Sequence, residues 1–184
     1  MTSDETATPA RVPSPAKVSC SMFDPVKLYS LAKKKEKENR KFFSWLKTKN
    51  PRDLDTVVHE LHDKVFPETD CLECANCCRS LGPRLTMPDI DRISKFLKIK
   101  TEKFIETYLR TDEDGDFVFQ KMPCPFLMPD NYCSVYAVRP KACCEYPHTD
   151  RRKFHQLLSL TLKNSFTCPA VLEIMEGLKV RYSR

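Results

Sequence analysis

Four cysteines fall within eight residues, in Cys71-Leu-Glu-Cys74-Ala-Asn-Cys77-Cys78. A C-x-x-C spacing lets one tight turn aim two thiolates at a single point, and its extension to C-x-x-C-x-x-C delivers a third. Asn76, inside that run, is expected to supply the left-handed backbone where a chain curls around a metal, since Asn tolerates that conformation better than most residues. Four more cysteines follow at Cys124, Cys133, Cys143 and Cys144, and another at Cys168, directly before Pro169. Side-by-side pairs such as Cys77-Cys78 are hard to explain as core packing. Thiolates at this density suit zinc, iron or an iron–sulfur cluster, and a four-thiolate site accepts all three, so spacing leaves the metal open. Structural zinc contributes on the order of 10–16 kcal/mol of apparent binding free energy, comparable to the whole stability of a domain. Cys20 stands apart from the rest and is expected to be a free thiol.

Composition narrows the chemistry. Ten cysteines in 184 residues are about 5%, below the roughly 8–10% of a short disulfide scaffold. The opening residues, MTSDETATPARVPSPAKVS, lack the basic start and apolar run of a secretory signal. An intracellular, cytoplasmic protein is therefore expected, in which thiols stay reduced and clustered cysteines bind metal or do redox chemistry. Only three glycines are present, which argues against a P-loop or a G-x-G-x-x-G phosphate cradle. No apolar run approaches the roughly 20 residues of a membrane-spanning helix, so no membrane partner is expected. His59 and His62, in HELH, are three apart rather than the four of a zinc protease, and read as surface histidines. An acidic run from Asp112 has Phe117 and Pro123 where a calcium loop needs Gly and Glu, so it reads as a turn around Gly115.

The elements that must hold the sulfurs are mostly helices. Residues 1–22, rich in Pro, Ser, Thr and Ala, read as a disordered tail. Residues 23–50 read as a basic helix, with Asp24 as its cap and Pro25 at its first position. It carries nine Lys or Arg against Glu36 and Glu38, in a chain of net charge +6. Its expected anchors are Phe42, Phe43, Trp45 and Leu46. No base-reading motif accompanies the charge, so nucleic acid is not the expected partner. Asn50-Pro51 is expected to start a second helix with Leu54, Val57, Val58, Leu61 and Val65 on one face. Thr86-x-x-Asp89 has the form of a capping box ahead of Ile90, Ile93, Phe96 and Leu97. Thr101 restarts a helix carrying Phe104, Ile105, Tyr108 and Leu109. Short strands are expected at Phe117–Gln120 and around Val135 and Tyr136, with loops over 122–147. A helix with Phe154, Leu157, Leu158 and Leu162 follows, and a last one from Pro169 buries Val171, Ile174, Met175 and Leu178. The fold class is mainly α with a small β element (α+β), a compact single domain with cysteine-rich metal-binding loops.

Three cysteines at C-x-x-C-x-x-C with a remote Cys-Pro resemble, in part, the pattern of bacterial ferredoxins; Cys124-Pro125 rivals Cys168-Pro169 for the fourth ligand. A fuller resemblance is to the YkgJ-type cysteine-cluster family of zinc- or iron-chelating CxxCxxCC domains. It is carried by CLECANCC at 71–78, LTMPDIDRISKFLKIKTEKFIETYL at 85–109, PCPFLMPDNYCSVYAVRPKACCEYPHTD at 123–150 and Cys168-Pro169. The resemblance implies a metal-chelating domain within 51–184 and, position by position, metal ligands at Cys71, Cys74, Cys77, Cys78, Cys124, Cys133, Cys143 and Cys168. Asn76 is taken to stand for the glycine of the CxxCGxCC variant. Cys144 stands where the family commonly has Arg, and is left out of the ligand set.

Eight thiolates can close two four-thiolate zinc sites, or hold one iron–sulfur cluster with thiols to spare. The leading expectation is therefore a cysteine-cluster protein binding zinc or iron. Arg139 and Tyr136 are candidate groups for tuning a centre by hydrogen bonds. A link of the family to flagellin lysine N-methylases opens a modifying-enzyme alternative, beside an iron–sulfur oxidoreductase. The chain lacks both the glycine-rich loop of ordinary methyltransferases and the C-x-x-x-C-x-x-C of radical iron–sulfur enzymes. A third alternative is a metal-stabilised interaction module whose basic helix docks an acidic protein, the partner itself being unknown.

Overall fold

A computed structural model describes residues 24–182. The tail expected at 1–22 and Cys20 lie outside the described residues. Asp24 accepts hydrogen bonds from the N–H groups of Val26 and Lys27 (2.8 and 3.3 Å) and so caps helix α1 (Pro25–Lys49). Asn50, at φ 42°, ends that helix by donating its N–H to the Leu46 carbonyl. Asn50 therefore closes the first helix instead of opening the second, and α2 (Leu54–Val65) starts after a turn at Pro51. The short helices α3 (Cys71–Cys74) and α4 (Asn76–Ser80) follow. Strand β1 (Arg84–Leu85), α5 (Met87–Phe96), α6 (Thr101–Tyr108), β2 (Leu109–Thr111) and β3 (Phe117–Phe119) come next. The chain then passes through a long irregular stretch to α7 (Lys141–Glu145), α8 (Leu158–Asn164) and α9 (Pro169–Tyr182). The molecule is mainly helical with one small antiparallel sheet, as the sequence predicts.

Two apolar cores form. The first packs Phe43 and Leu46 of α1 against Leu54, Val57, Val58 and Val65 of α2, Phe154, and the buried faces of α8 and α9. Gly177 permits the α2–α9 approach: a Cβ there would lie 2.7 Å from the end of the Leu61 side chain. The second core joins Ile90 and Ile93 of α5, Phe104 of α6, Leu85, Leu109 and Phe119 of the sheet, and Phe126 and Val135 from the irregular stretch. Each large apolar side chain so buried contributes about 1.5–3 kcal/mol. Of the expected α1 anchors, Trp45 is exposed and stacks on Phe42 instead of entering the core. Phe96 is also exposed, because it lies at the outer edge of the α5 stripe.

The sheet has the order β1-β3-β2, with Arg84 opposite Val118 and Leu109 opposite Phe119. Leu109, expected in a helix, is buried in β2. The short strand expected around Val135 and Tyr136 is absent among the described residues, and residues 136–138 form a turn of 3-10 helix. The two histidines of HELH are not free on the surface. His62 Nδ1 lies 2.8 Å from the Thr149 hydroxyl, and His59 Nε2 is 3.3 Å from the Arg151 carbonyl.

Two local devices set the cysteine-bearing helices. The first is the expected capping box. Asp89 is buried and accepts from the Thr86 N–H and hydroxyl, the Arg92 guanidinium and the Lys141 N–H. One carboxylate thus ties the start of α5 to the start of α7, which carries Cys143. The second device is the left-handed residue between α3 and α4. It is Ala75, at φ 44°, and not Asn76. Counted along C-x-x-C-G-x-C-C, the glycine position is also 75, so the equation of Asn76 with that glycine is corrected. Asn76 opens α4, and its side chain donates instead to the Thr167 carbonyl at 2.8 Å.

Burial alone would raise the Asp89 carboxyl, but the hydrogen bonds from Thr86, Arg92 and Lys141 overcome it and hold the group at about 2. A depressed carboxyl stabilises the fold fully above its unfolded value, near 4, and that share is lost as pH falls through about 2. Asp89→Ala is expected to cost about 2 kcal/mol at neutral pH. Denaturant melts should show the deficit shrinking between pH 4 and pH 2. Ala75→Val puts a branched, bulkier side chain at a buried, left-handed position. It is expected to cost at least about 2 kcal/mol, while Ala75→Gly should leave the melting curve nearly unchanged.

Candidate metal centre

Nine cysteines lie among the described residues, and all nine are free thiols. They sit on one-turn helices and on the irregular stretch between them, where loops were expected throughout. Cys71 and Cys74 are the ends of α3, Cys77 and Cys78 lie in α4, Cys143 and Cys144 in α7, and Cys168 directly precedes α9. Cys133 lies opposite Leu127, three residues beyond Cys124, in an isolated antiparallel bridge, and the Ser134 N–H donates to the Phe126 carbonyl at 2.9 Å.

Hydrogen bonds bring the distant segments together around 71–78. The Asn76 bond to Thr167 brings the chain just before Cys168 against α4. The Cys124 N–H donates to the Cys78 carbonyl at 2.9 Å. Asn131 donates to the Leu72 carbonyl through its side-chain amide and accepts from Arg79. Cys77 and Cys78 place their sulfurs 4.0 Å apart.

The electrostatics sort the thiols. Burial pushes Cys168 up to about 12, and the sulfurs of Cys71 and Cys74 push the same way. Cys74 rises to about 11 through burial, assisted by Cys71 and Cys78. Cys71 is also raised, by burial first and then by Asp70 and Cys78. Cys77 is raised by its hydrogen bond with Cys78 and by burial, with Cys78, Cys168 and Cys71 adding to it; the same bond draws Cys78 down to about 7. Cys143 is pushed up to about 12 by burial and then by Cys78, Cys124, Cys133 and Cys144, in that order. Cys124 reaches about 11 through burial, with Cys133 and Cys78 contributing, and Cys133 is raised by burial and Cys78. Cys71 and Cys143 are exposed as whole residues, so in each the sulfur is the sheltered end.

Cys71 and Cys74 act on Cys168, and Cys71 and Cys168 act on Cys77, while Cys124 and Cys133 act on Cys143; Cys78 acts on members of both groups. Cys168 packs on the first apolar core, while Cys124 and Cys133 pack on the second. Cys144 acts on Cys143, but its own thiol is exposed and donates to the Arg139 carbonyl in the surface turn. Among the described residues, no three or more His, Cys, Asp or Glu side chains are already gathered at coordinating distance.

The donor set fits a soft metal. The hydrogen-bonding pull of backbone N–H groups lowers Cys74 (from Asn76), Cys124 (from Phe126), Cys133 (from Val135) and Cys168 (from Val171 and Ala170) against the effect of burial. Bonds of this kind favour the thiolate, the form that binds metal. Arg139 lowers both Cys71 and Cys133, and its guanidinium lies 3.9 Å over the Tyr136 ring. The sequence points to that pair. It gives little sign of Tyr146, whose hydroxyl is buried without a hydrogen-bond partner. Burial raises the Tyr146 phenol, and Cys168, Cys77, Cys74 and Cys71 push it further. Its only sequence signal is a position two residues after Cys144 in CCEYP. No described helix is long and apolar enough to cross a membrane.

No solved structure matches the chain. The family model CxxCxxCC, described as "Putative zinc- or iron-chelating domain", matches residues 70–163. That span holds the capping box, the sheet and eight of the nine described cysteines, Cys168 lying just beyond it. With half of its length so matched, the chain belongs to the CxxCxxCC family of metal-chelating domains, the family of the YkgJ-type proteins.

Proposed function

We propose that this protein holds two closed four-thiolate metal centres, one on Cys71, Cys74, Cys77 and Cys168 and the other on Cys78, Cys124, Cys133 and Cys143. The observation that supports this reading is that Cys168 packs on the first apolar core while Cys124 and Cys133 pack on the second, with Cys77 and Cys78 adjacent between them. Four thiolates per ion satisfy tetrahedral zinc, or a single iron ion in the same geometry, and leave no open position for substrate. Each metal supplies the positive charge that lets buried thiols ionise, and its binding free energy becomes folding free energy. The function that follows is structural chelation: the metals fasten the helical core to the core built around the sheet. The basic face of α1 is then a solvated flank, partly engaged with α9 through Lys35–Glu176, while Glu38 of α1 pairs with Lys179 of α9.

Metal and sulfide assays on protein purified without oxygen test this reading. About two zinc or iron ions per chain are expected, with no acid-labile sulfide. Cys168→Ser and Cys133→Ser should each lose one ion, and Cys144→Ser none. Stripping the metal should abolish much of the helical circular dichroism. Stoichiometric sulfide would replace this reading with an iron–sulfur centre. Loss of both ions in Cys144→Ser would overturn the ligand assignment.

A further inference from the structure

Among the buried polar side-chain atoms without a hydrogen-bond partner in the described residues, the Tyr146 hydroxyl is the one on which Cys168, Cys77, Cys74 and Cys71 act. A buried hydroxyl without a partner costs free energy, so native structures seldom keep one without a use. Tyr146 follows α7, and its neighbour Pro147 is fixed by Asn164, whose side-chain amide donates to the Pro147 carbonyl at 3.2 Å. The Asn164 carbonyl accepts in turn from the Cys168 N–H at 2.8 Å. One residue of α8 thus ties the Tyr146 segment to Cys168, and the cysteines that act on the phenol are Cys168, Cys77, Cys74 and Cys71. The second set has no such group: the other aromatic hydroxyls on the irregular stretch, Tyr132 and Tyr136, belong to exposed residues whose rings stack on each other.

We propose that Tyr146 is a positioning residue for the first centre, donating an O–H⋯S hydrogen bond to one of its thiolates once a metal draws them together. A phenol is neutral at working pH, with an ordinary pKa near 10, so it serves as a donor and not as a fifth ligand. Such a bond withdraws charge from the sulfur, fixes its direction and makes the two centres unequal. The first centre gains a donor that the second lacks. Partners of this kind typically change metal affinity by about 10–100-fold.

This inference rests on the two-centre reading and is tested on the full chain loaded with Co²⁺, whose sulfur-to-metal absorption reports each thiolate. Tyr146→Phe keeps the ring and removes only the hydroxyl. In a Cys133→Ser background, which leaves the first centre alone, Tyr146→Phe is expected to shift the charge-transfer band. It should also speed metal loss to a chelator by about 10-fold or more. In a Cys168→Ser background, which leaves the second centre alone, the same change should move neither readout. A chain that takes up two ions but gives identical bands and release rates with and without the hydroxyl overturns the hydrogen bond alone. Equal effects in both backgrounds overturn its assignment to the first centre. A wild-type chain that takes up no metal overturns the two-centre reading, and this inference with it.

Discussion

Everything in the molecule turns on the peptide bond between Cys77 and Cys78. Successive residues of a helix point about 100° apart, so two adjacent cysteines in α4 cannot serve one narrow site equally. Their sulfurs are 4.0 Å apart. On the proposed reading one joins the thiols on the side of α9, and the other joins those beside the sheet. A single turn of helix thereby becomes the junction of two cores that share little else. The hydrogen bonds at this junction come in both directions, from Asn76 to Thr167 and from Cys124 to Cys78.

Local backbone energetics give this junction no independent stability. α3, α4 and α7 are four or five residues long, well short of the roughly 12–15 residues at which isolated helices become marginal. The stretch from Gln120 to Pro140 has one isolated bridge and one 3-10 turn. Ordering it costs about 1–2 kcal/mol of backbone entropy per residue. Asp89 and Asn131 offset part of that cost by tying separate segments with multiple hydrogen bonds. Such bonds contribute only about 1 kcal/mol each, whereas a structural metal contributes on the order of 10. By these magnitudes the proposed metals stabilise the centre most, and apolar burial stabilises either end.

The sequence was legible where one local rule decided the outcome. Asp24-Pro25, Thr86-x-x-Asp89 and Pro169 each mark a helix start, and each is found there, because a cap or a fixed φ needs no distant partner. It was illegible where geometry depends on neighbours far along the chain. Two- and three-residue strands such as β1 and β2 are too short to show a period-2 pattern, so Leu109 reads as helical until it pairs with Phe119. Tyr136 has strand-forming character, yet the turn needed to bring Cys133 and Arg139 together overrides it. Asn76 stands out in the sequence for its backbone tolerance, yet in the fold its side chain matters more. The cysteines can be recognised as a set from their spacing, but their division cannot. On the proposed reading it depends on Cys168 lying beside α4, which the bonds of Asn76 to Thr167 and of Cys168 to Asn164 help to arrange.

Charge supplies the last link between the sulfurs and the rest of the chain. On the proposed reading each zinc centre carries about two net negative charges, since four thiolates outweigh one divalent ion. Loading both therefore cancels about four of the formal +6, which counts cysteine as neutral. The cations that offset these centres locally are few: Arg79 acts on Cys74 and Cys78, and Arg139 on Cys71 and Cys133. The larger excess sits on α1, where Glu36 pairs with Lys33 and Arg40, and Glu176 of α9 pairs with Lys35; surface pairs of this kind are screened by water and contribute little. Those pairs are too weak to hold the helix, and Phe43 and Leu46 do that instead. On the proposed reading the basic flank stays solvated and apart from the sulfurs, and the loaded protein would carry a net charge of about +2 where the formal count, with cysteine neutral, gives +6.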